Sequence, residues 1–231
     1  MWPVPVRGLP DMHIPDGLIS PQTYFPALLV AAPLWWWAGR EFSRRVGDEA
    51  LPRLAVFAAL AFVLSSLMLP LPGGTSGHAI GVGLLTLIFG PWVAFLAYTL
   101  VLLLQALVMG AGGITALPVN ALAMGLVGAW TTWLLFRLLR PLQIDLAVVA
   151  AVSISIVVSA LLVALVLGLQ PLIAQAPDGS PRFFPFGWSV TLPAILIPHL
   201  FIALAESALT LMIWRHARRR HWLPVESTGS T

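Results

Sequence analysis

An all-α, polytopic membrane fold is what this sequence predicts, and three observations carry it. The first is composition. The chain of 231 residues is 59% apolar and only 9% charged, with a mean hydropathy of +0.93, whereas a soluble domain carries about a quarter charged residues. The second is spacing, because apolar stretches near the length that spans about 30 Å of hydrocarbon recur along the chain. The third is charge placement. All basic residues are arginines, and ten of the twelve fall in three clusters between or after apolar stretches.

Seven spans follow, at 21–39, 52–69, 78–90, 91–109, 118–139, 146–168 and 189–214. The stretch 78–109 divides at Gly90-Pro91, since proline disrupts a helix and biases the residue before it away from helical geometry. Arginine positions enforce that division. Arg40, Arg44, Arg45 and Arg53 lie in one loop, Arg137 and Arg140 in another, and Arg215, Arg218, Arg219 and Arg220 in the tail. Placing all of them in the cytoplasm requires an even number of crossings between the first two clusters, and hence both 78–90 and 91–109. The N-terminus is then outside and the C-terminus cytoplasmic. The third pass is short and reads as partly re-entrant.

This parity puts the N-terminal segment and the loops 70–78, 110–117 and 169–188 on the outer face. The chain divides into an extension at 1–11, a membrane domain at 12–222 and a polar, disordered tail at 223–231. The first residues, MWPVPVRGLPDMHIP, hold four prolines and no apolar core, so they do not form a secretory signal. The high isoelectric point reflects membrane topology rather than nucleic-acid binding. No cysteine is present, which excludes disulfides and thiolate metal sites.

Two segments carry chemistry. In Met12-His13-Ile14-Pro15-Asp16-Gly17, the Pro15 and Gly17 positions favour a tight turn that fixes how Met12 and His13 approach the membrane domain. The second, Pro70 to His78, is glycine-rich and ends in a histidine at the mouth of a helix. Neutral imidazole is a common ligand for zinc, copper, iron and nickel. The glycine-rich loop lacks the Gly-Lys-Ser/Thr ending of a phosphate loop, so energy for transport must come from a partner or an ion gradient.

Within the spans, His199 and Glu206 fall on one helical face, and ionisable residues in a membrane are candidates for function. Ala27 and Ala31 form a small-xxx-small pair in the first span, and Ala121, Gly125 and Ala129 a second stripe, of the kind that lets helices approach closely. Trp35-Trp36-Trp37 reads as an interfacial belt.

Met-His-Ile-Pro-Asp-Gly, Pro-Leu-Pro-Gly-Gly-Thr-Ser-Gly-His and Phe89-Gly90-Pro91-Trp92 together resemble the CbiM/NikM family. So do Leu104-Gln105-Ala106, Gly112-Gly113-Ile114-Thr115-Ala116 and Asn120-Ala121-Leu122-Ala123-Met124. These are the substrate-capturing components of energy-coupling-factor nickel and cobalt importers of prokaryotic cell membranes. The resemblance runs from Met12 to about Ala129, with Pro198-His199-Leu200 and Glu206 extending it.

The resemblance implies a transporter subunit rather than an enzyme, working with a transmembrane coupling subunit, ATP-binding cassette ATPases and an accessory membrane subunit. It implies no cofactor beyond the transported Ni(II) or Co(II), and the residues after His13 look more like nickel members. In the family the mature chain begins Met-His, and a free amine, the histidine amide nitrogen and its Nδ1 chelate one metal. The second histidine, here His78, completes a nitrogen plane that selects Ni(II) or Cu(II) over tetrahedral zinc. Pro15, Asp16, Gly17, Ser76 and Asn120 support the site. Ala27 and Ala31 are candidates for contact with the coupling subunit.

Two departures stand out. Met12 is preceded by eleven residues, so its amine is free only if the functional chain starts there. Ala111 occupies a position where nickel members carry Asp. A different reading takes Gly74-Thr75-Ser76-Gly77 as the Gly-x-Ser-Gly of rhomboid intramembrane proteases, with His199 as base for Ser76. A small-molecule carrier is a third.

Overall fold

The computed structural model describes residues 13–67, 69–71 and 75–220, with 69–71 and 75–77 described by backbone alone. Among these are seven helices. They are α1 (Pro21–Arg45), α2 (Leu51–Ser66), α3 (Val82–Phe89), α4 (Pro91–Met109), α5 (Leu117–Leu139), α6 (Ile144–Ile173) and α7 (Trp188–Arg219). The helices α4 to α7 are each long and apolar enough to cross a membrane. Proline sits in the first turn of α1, α2, α4 and α5, where its preset φ suits the helix and its missing N–H leaves no bond unmade. The extension at 1–11, Met12 and the tail at 223–231 lie outside the described residues.

The third pass departs from the sequence expectation. Of the stretch 78–90, only eight residues, Val82–Phe89, are helical. At about 1.5 Å per residue that is far short of the hydrocarbon thickness. Ahead of it, β1 (Leu69–Leu71) and β2 (Thr75–Gly77) pair antiparallel in the register Leu69↔Gly77, Pro70↔Ser76 and Leu71↔Thr75. The loop expected at 70–78 thus contains a short hairpin, and α2 ends at Ser66 rather than at residue 69. An extended run from His78 to Ile80 then leads into α3. Gly81 makes the entry turn at φ 80°, with its α-carbon so close to α2 that a Cβ there would meet the Ala61 Cβ at 2.7 Å. Gly90, at φ 82°, ends α3 and starts α4.

The segment nonetheless runs from one end of the bundle toward the other. Arg45, at the end of α1, has its Nη1 4.0 Å from where a Gly90 side chain would start, whereas His78 packs beside His13, near the start of α1. The chain from hairpin to Gly90 therefore traverses the bundle as a half-extended, half-helical segment, with the helical half almost wholly buried. Non-helical backbone at such depth is tolerated where protein surrounds it.

One end of the bundle collects arginines. Arg215 of α7 pairs with Asp145 at the start of α6, and Phe136 packs edge-on against Trp214. Arg40, Arg137 and Arg218 lie over the rings of Trp36, Trp133 and Trp214 at 4.0, 4.3 and 5.5 Å, as guanidinium groups do at an aromatic face. At the other end, Gln170 of α6 accepts from Ser20 N at 2.9 Å and holds the start of α1.

Ala31 is fully buried and Ala27 is half-buried against the core, because α1 lies against α4 and α5. Within this chain the pair packs α1 onto its own bundle. The outward face of α1 is made by Phe25, Leu28, Leu29, Val30, Trp36 and Trp37.

Candidate metal centre

The site begins with eight residues that precede α1. Ile14 and Ile19 are buried apolar anchors, and two polar clamps fix the chain between them. Asn120, at the start of α5, accepts from Ile14 N at 3.0 Å and donates to Ile14 O at 3.0 Å. Both backbone groups of a buried residue are thereby satisfied, as burial requires. Asp16 forms the second clamp. It accepts from Ile114 N at 3.0 Å, Thr115 N at 2.8 Å and Thr115 Oγ1 at 2.5 Å. Burial alone would raise the Asp16 carboxyl, but the bonds from Thr115, Ile114 and Ala116 outweigh it and hold it below the usual carboxylate range. Gly113 is obligatory here, because a Cβ would strike the Asp16 backbone nitrogen and carboxylate. Gly17 completes the turn at φ 86°.

These clamps deliver His13 into the bundle, 2% exposed. Its Nε2 lies 3.3 Å from the Tyr98 hydroxyl of α4, while its Nδ1, also buried, has no hydrogen-bond partner among the described residues. The His13 and His78 rings lie 4.4 Å apart between centroids, tilted by 44°. Burial drives the His13 pKa well below its ordinary value, and the neighbouring His78 and His199 push it the same way, so the imidazole is neutral and able to ligate. His78 is also buried, with Nδ1 3.1 Å from the Ala79 carbonyl. A carbonyl only accepts, so Nδ1 carries the proton and Nε2 the lone pair. His199 donates from Nδ1 to Ile195 O at 2.6 Å, within its own helix.

Glu206 stands one step back from the histidines. Its two carboxylate oxygens accept from Ile80 N at 2.6 Å and Gly81 N at 2.7 Å. It therefore grips the backbone just after His78 and just before α3.

The chain matches the family described as the cobalt uptake substrate-specific transmembrane region, CbiM, over residues 13–222. It belongs to the CbiM family. Among its relatives, a probable fused nickel transport protein of Lactiplantibacillus plantarum is 38% identical over 90% of this chain and 65% of its own length. A fused nickel transport protein of Rhodobacter capsulatus is 37% identical over 83% of this chain and 57% of its own length. This CbiM-family chain thus spans less than two thirds of either fused protein. A putative metal transport protein of Methanocaldococcus jannaschii is 31% identical, with 88% and 90% covered. Two crystal structures of transition metal transporters superpose on it. One has a TM-score of 0.84 at 33% identity, covering 90% of this chain and 99% of that one. The other has 0.85 at 32%, with 94% and 96% covered. The fold class and the multi-pass membrane location in a prokaryotic cell stand on these likenesses together with the long apolar helices.

Against the residues singled out from sequence, the CbiM-family fold brings His13, His78, Asp16, Asn120, His199 and Glu206 into one region. Pro15 and Gly17 lie in the turn between the clamps. Met12 and the side chain of Ser76 lie outside what the structure describes. Tyr98 was missed. A signal existed, because it is one of only two tyrosines in the chain, it lies in a strongly apolar helix, and a buried hydroxyl needs a partner. Among the described residues, no three His, Cys, Asp or Glu side chains gather closely enough to hold one ion. Among the described residues, the side chains that come together as candidate ligands are two imidazoles, His13 and His78.

Proposed function

We propose that this chain is the metal-capturing membrane component of an energy-coupling-factor importer, taking Ni(II) in preference to Co(II). The observation that carries the reading is the buried His13–His78 pair, with the His13 Nδ1 left without a hydrogen bond among the described residues. In this reading the Met12 amine, the His13 amide nitrogen and Nδ1, and His78 Nε2 make a four-nitrogen plane, the geometry that favours Ni(II) and Cu(II). In this reading the His13 Nε2–H donates to the Tyr98 oxygen, which leaves Nδ1 its lone pair and orients the ring, as outer hydrogen-bond partners do around ligating histidines. The names of the fused nickel transport relatives support the metal class.

The arginine-rich end is cytoplasmic in this scheme, so the clamped N-terminal segment meets metal from outside. The coupling subunit and the ATPases supply the energy for release. The chelate of this reading needs a free amine at Met12, as a chain beginning there would present.

Ni(II) titration of purified protein tests the reading. His13→Ala and His78→Ala should each lower the affinity by at least 100-fold, about 2.7 kcal/mol at 1.36 kcal/mol per tenfold, while Ser76→Ala lowers it far less. A protease using Ser76 and His199 predicts the reverse, with cleavage lost in Ser76→Ala. Wild-type affinity in both histidine variants would sink the metal reading.

A further inference from the structure

Among the described residues, Glu206 is the one carboxylate buried in the bundle, and it takes part in no salt bridge among them. An anionic group at such a position is costly unless something specific compensates it. Here the compensation is directional. The Ile80 and Gly81 N–H groups that it accepts lie at the N-terminal end of α3, where backbone donors have no partner within the helix and the helix dipole is positive.

The consequence reaches the metal pair. His78 lies two residues before Ile80, on a stretch without helical or strand bonding of its own. On one side Gly81 is pressed against Ala61 of α2. On the other the Glu206 carboxylate holds two successive amides. The segment that carries His78 is thus held between α2 and α7, and among the described hydrogen bonds it is Glu206 of α7 that grips its backbone.

We propose that Glu206 is the positioning residue for His78. Through the Ile80 and Gly81 amides it sets the depth and angle at which the imidazole meets His13. It touches no metal itself. The role rests on the metal-capture reading above, and it ties the geometry of the site to α7, whose far end carries Trp214, Arg215 and the arginine cluster.

A double-mutant cycle tests this in the full chain and, alongside, in the form beginning at Met12. The probes are Ni(II) and Cu(II). Copper binds nitrogen sites more tightly than nickel, so it stays measurable after one ligand is lost. Glu206→Gln keeps the shape but puts an amide N–H₂ against a backbone N–H. It should weaken metal binding by about 10–100-fold, as removal of an outer-shell partner does, and alter the visible spectrum of the Ni(II) form. In a His78→Ala background the same change should have no further effect on Cu(II) affinity. Glu206→Asp, with the carboxylate withdrawn by one methylene, should give an intermediate loss, and it replaces Glu206→Gln in the cycle if that variant fails to fold. Wild-type affinity in the Glu206 variants, or an equal loss with and without His78, overturns the proposal. Wild-type affinity in His78→Ala alone instead overturns the metal-capture reading beneath it.

Discussion

Asn120 closes a two-bond clamp on Ile14, accepting from its N–H and donating to its carbonyl at 3.0 Å each way. No other side chain holds both backbone groups of a single residue in the N-terminal segment among the described bonds. Asn120→Ala leaves two buried groups unpaired at about 1–3 kcal/mol each. The expected result is a chain that still folds in detergent but exchanges the Ile14 amide rapidly and binds Ni(II) at least tenfold more weakly. Asn120→Asp, which turns a carboxylate oxygen toward the Ile14 carbonyl, should be at least as damaging. Unchanged exchange and affinity in both variants would remove Asn120 from the site.

Gly113 makes a sharper steric test. A single methyl there collides with the Asp16 nitrogen and carboxylate, so Gly113→Ala must push residues 13–17 away from the 112–116 loop. The densest helix packing in the bundle is among α5, α6 and α7 rather than at this contact. Thermal stability should therefore change little while Ni(II) affinity drops by about 10–100-fold, the range for loss of a supporting contact. A large fall in melting temperature with unchanged affinity per folded molecule would contradict the assignment of this contact to the site.

The start of the functional chain gives a third comparison. If the Met12 amine is a ligand, protein beginning at Met12 binds Ni(II) tightly and the full chain binds poorly. Calorimetric titration of the two purified forms side by side decides it, and equal affinities would refute the amine as ligand.

The pH dependence follows from His13. Its folded pKa lies below its unfolded value, so below about pH 6.5 the released segment takes up a proton that the docked segment does not. Docking is therefore fully stable above that pH and weakens as pH falls toward the lowered value. Asp16, also lowered, acts in the same direction only near the ordinary carboxylate range, about pH 4. Hydrogen exchange of residues 13–19 in the metal-free chain should accelerate as pH, corrected for intrinsic exchange, drops from about 7.5 to 5 across the imidazole range. Constant protection would mean that His13 docks in its charged form.

The seven helices and both metal-candidate histidines are legible in the sequence, since apolarity, proline, glycine and arginine act over one window of chain, whereas the helix ends shift by up to several residues. Hydropathy lengthened the third pass at its start, because Ala79, Ile80 and Gly81 read as apolar as the helix that follows. Helix α3 could not be separated from them on that criterion. Small-residue spacing in α1 marked a close approach at Ala31, but spacing alone does not say whether the approaching helix belongs to the same chain.

Tertiary structure alone decided what fixes the two histidines. Tyr98 lies 85 residues from His13 along the chain, Asn120 lies 106 from Ile14, and Glu206 lies 126 from Ile80. Each partner is a polar group that burial compels to find a bond, a demand that the sequence announces by placing it in apolar surroundings. Which group answers the demand depends on how α4, α5 and α7 pack, and helix packing is settled by contacts between distant residues. The sequence by itself determined that this chain enters a membrane and carries two histidines with turn-forming neighbours. Only the folded bundle decided that those histidines meet, and that a carboxylate on α7 accepts from the Ile80 and Gly81 amides beside one of them.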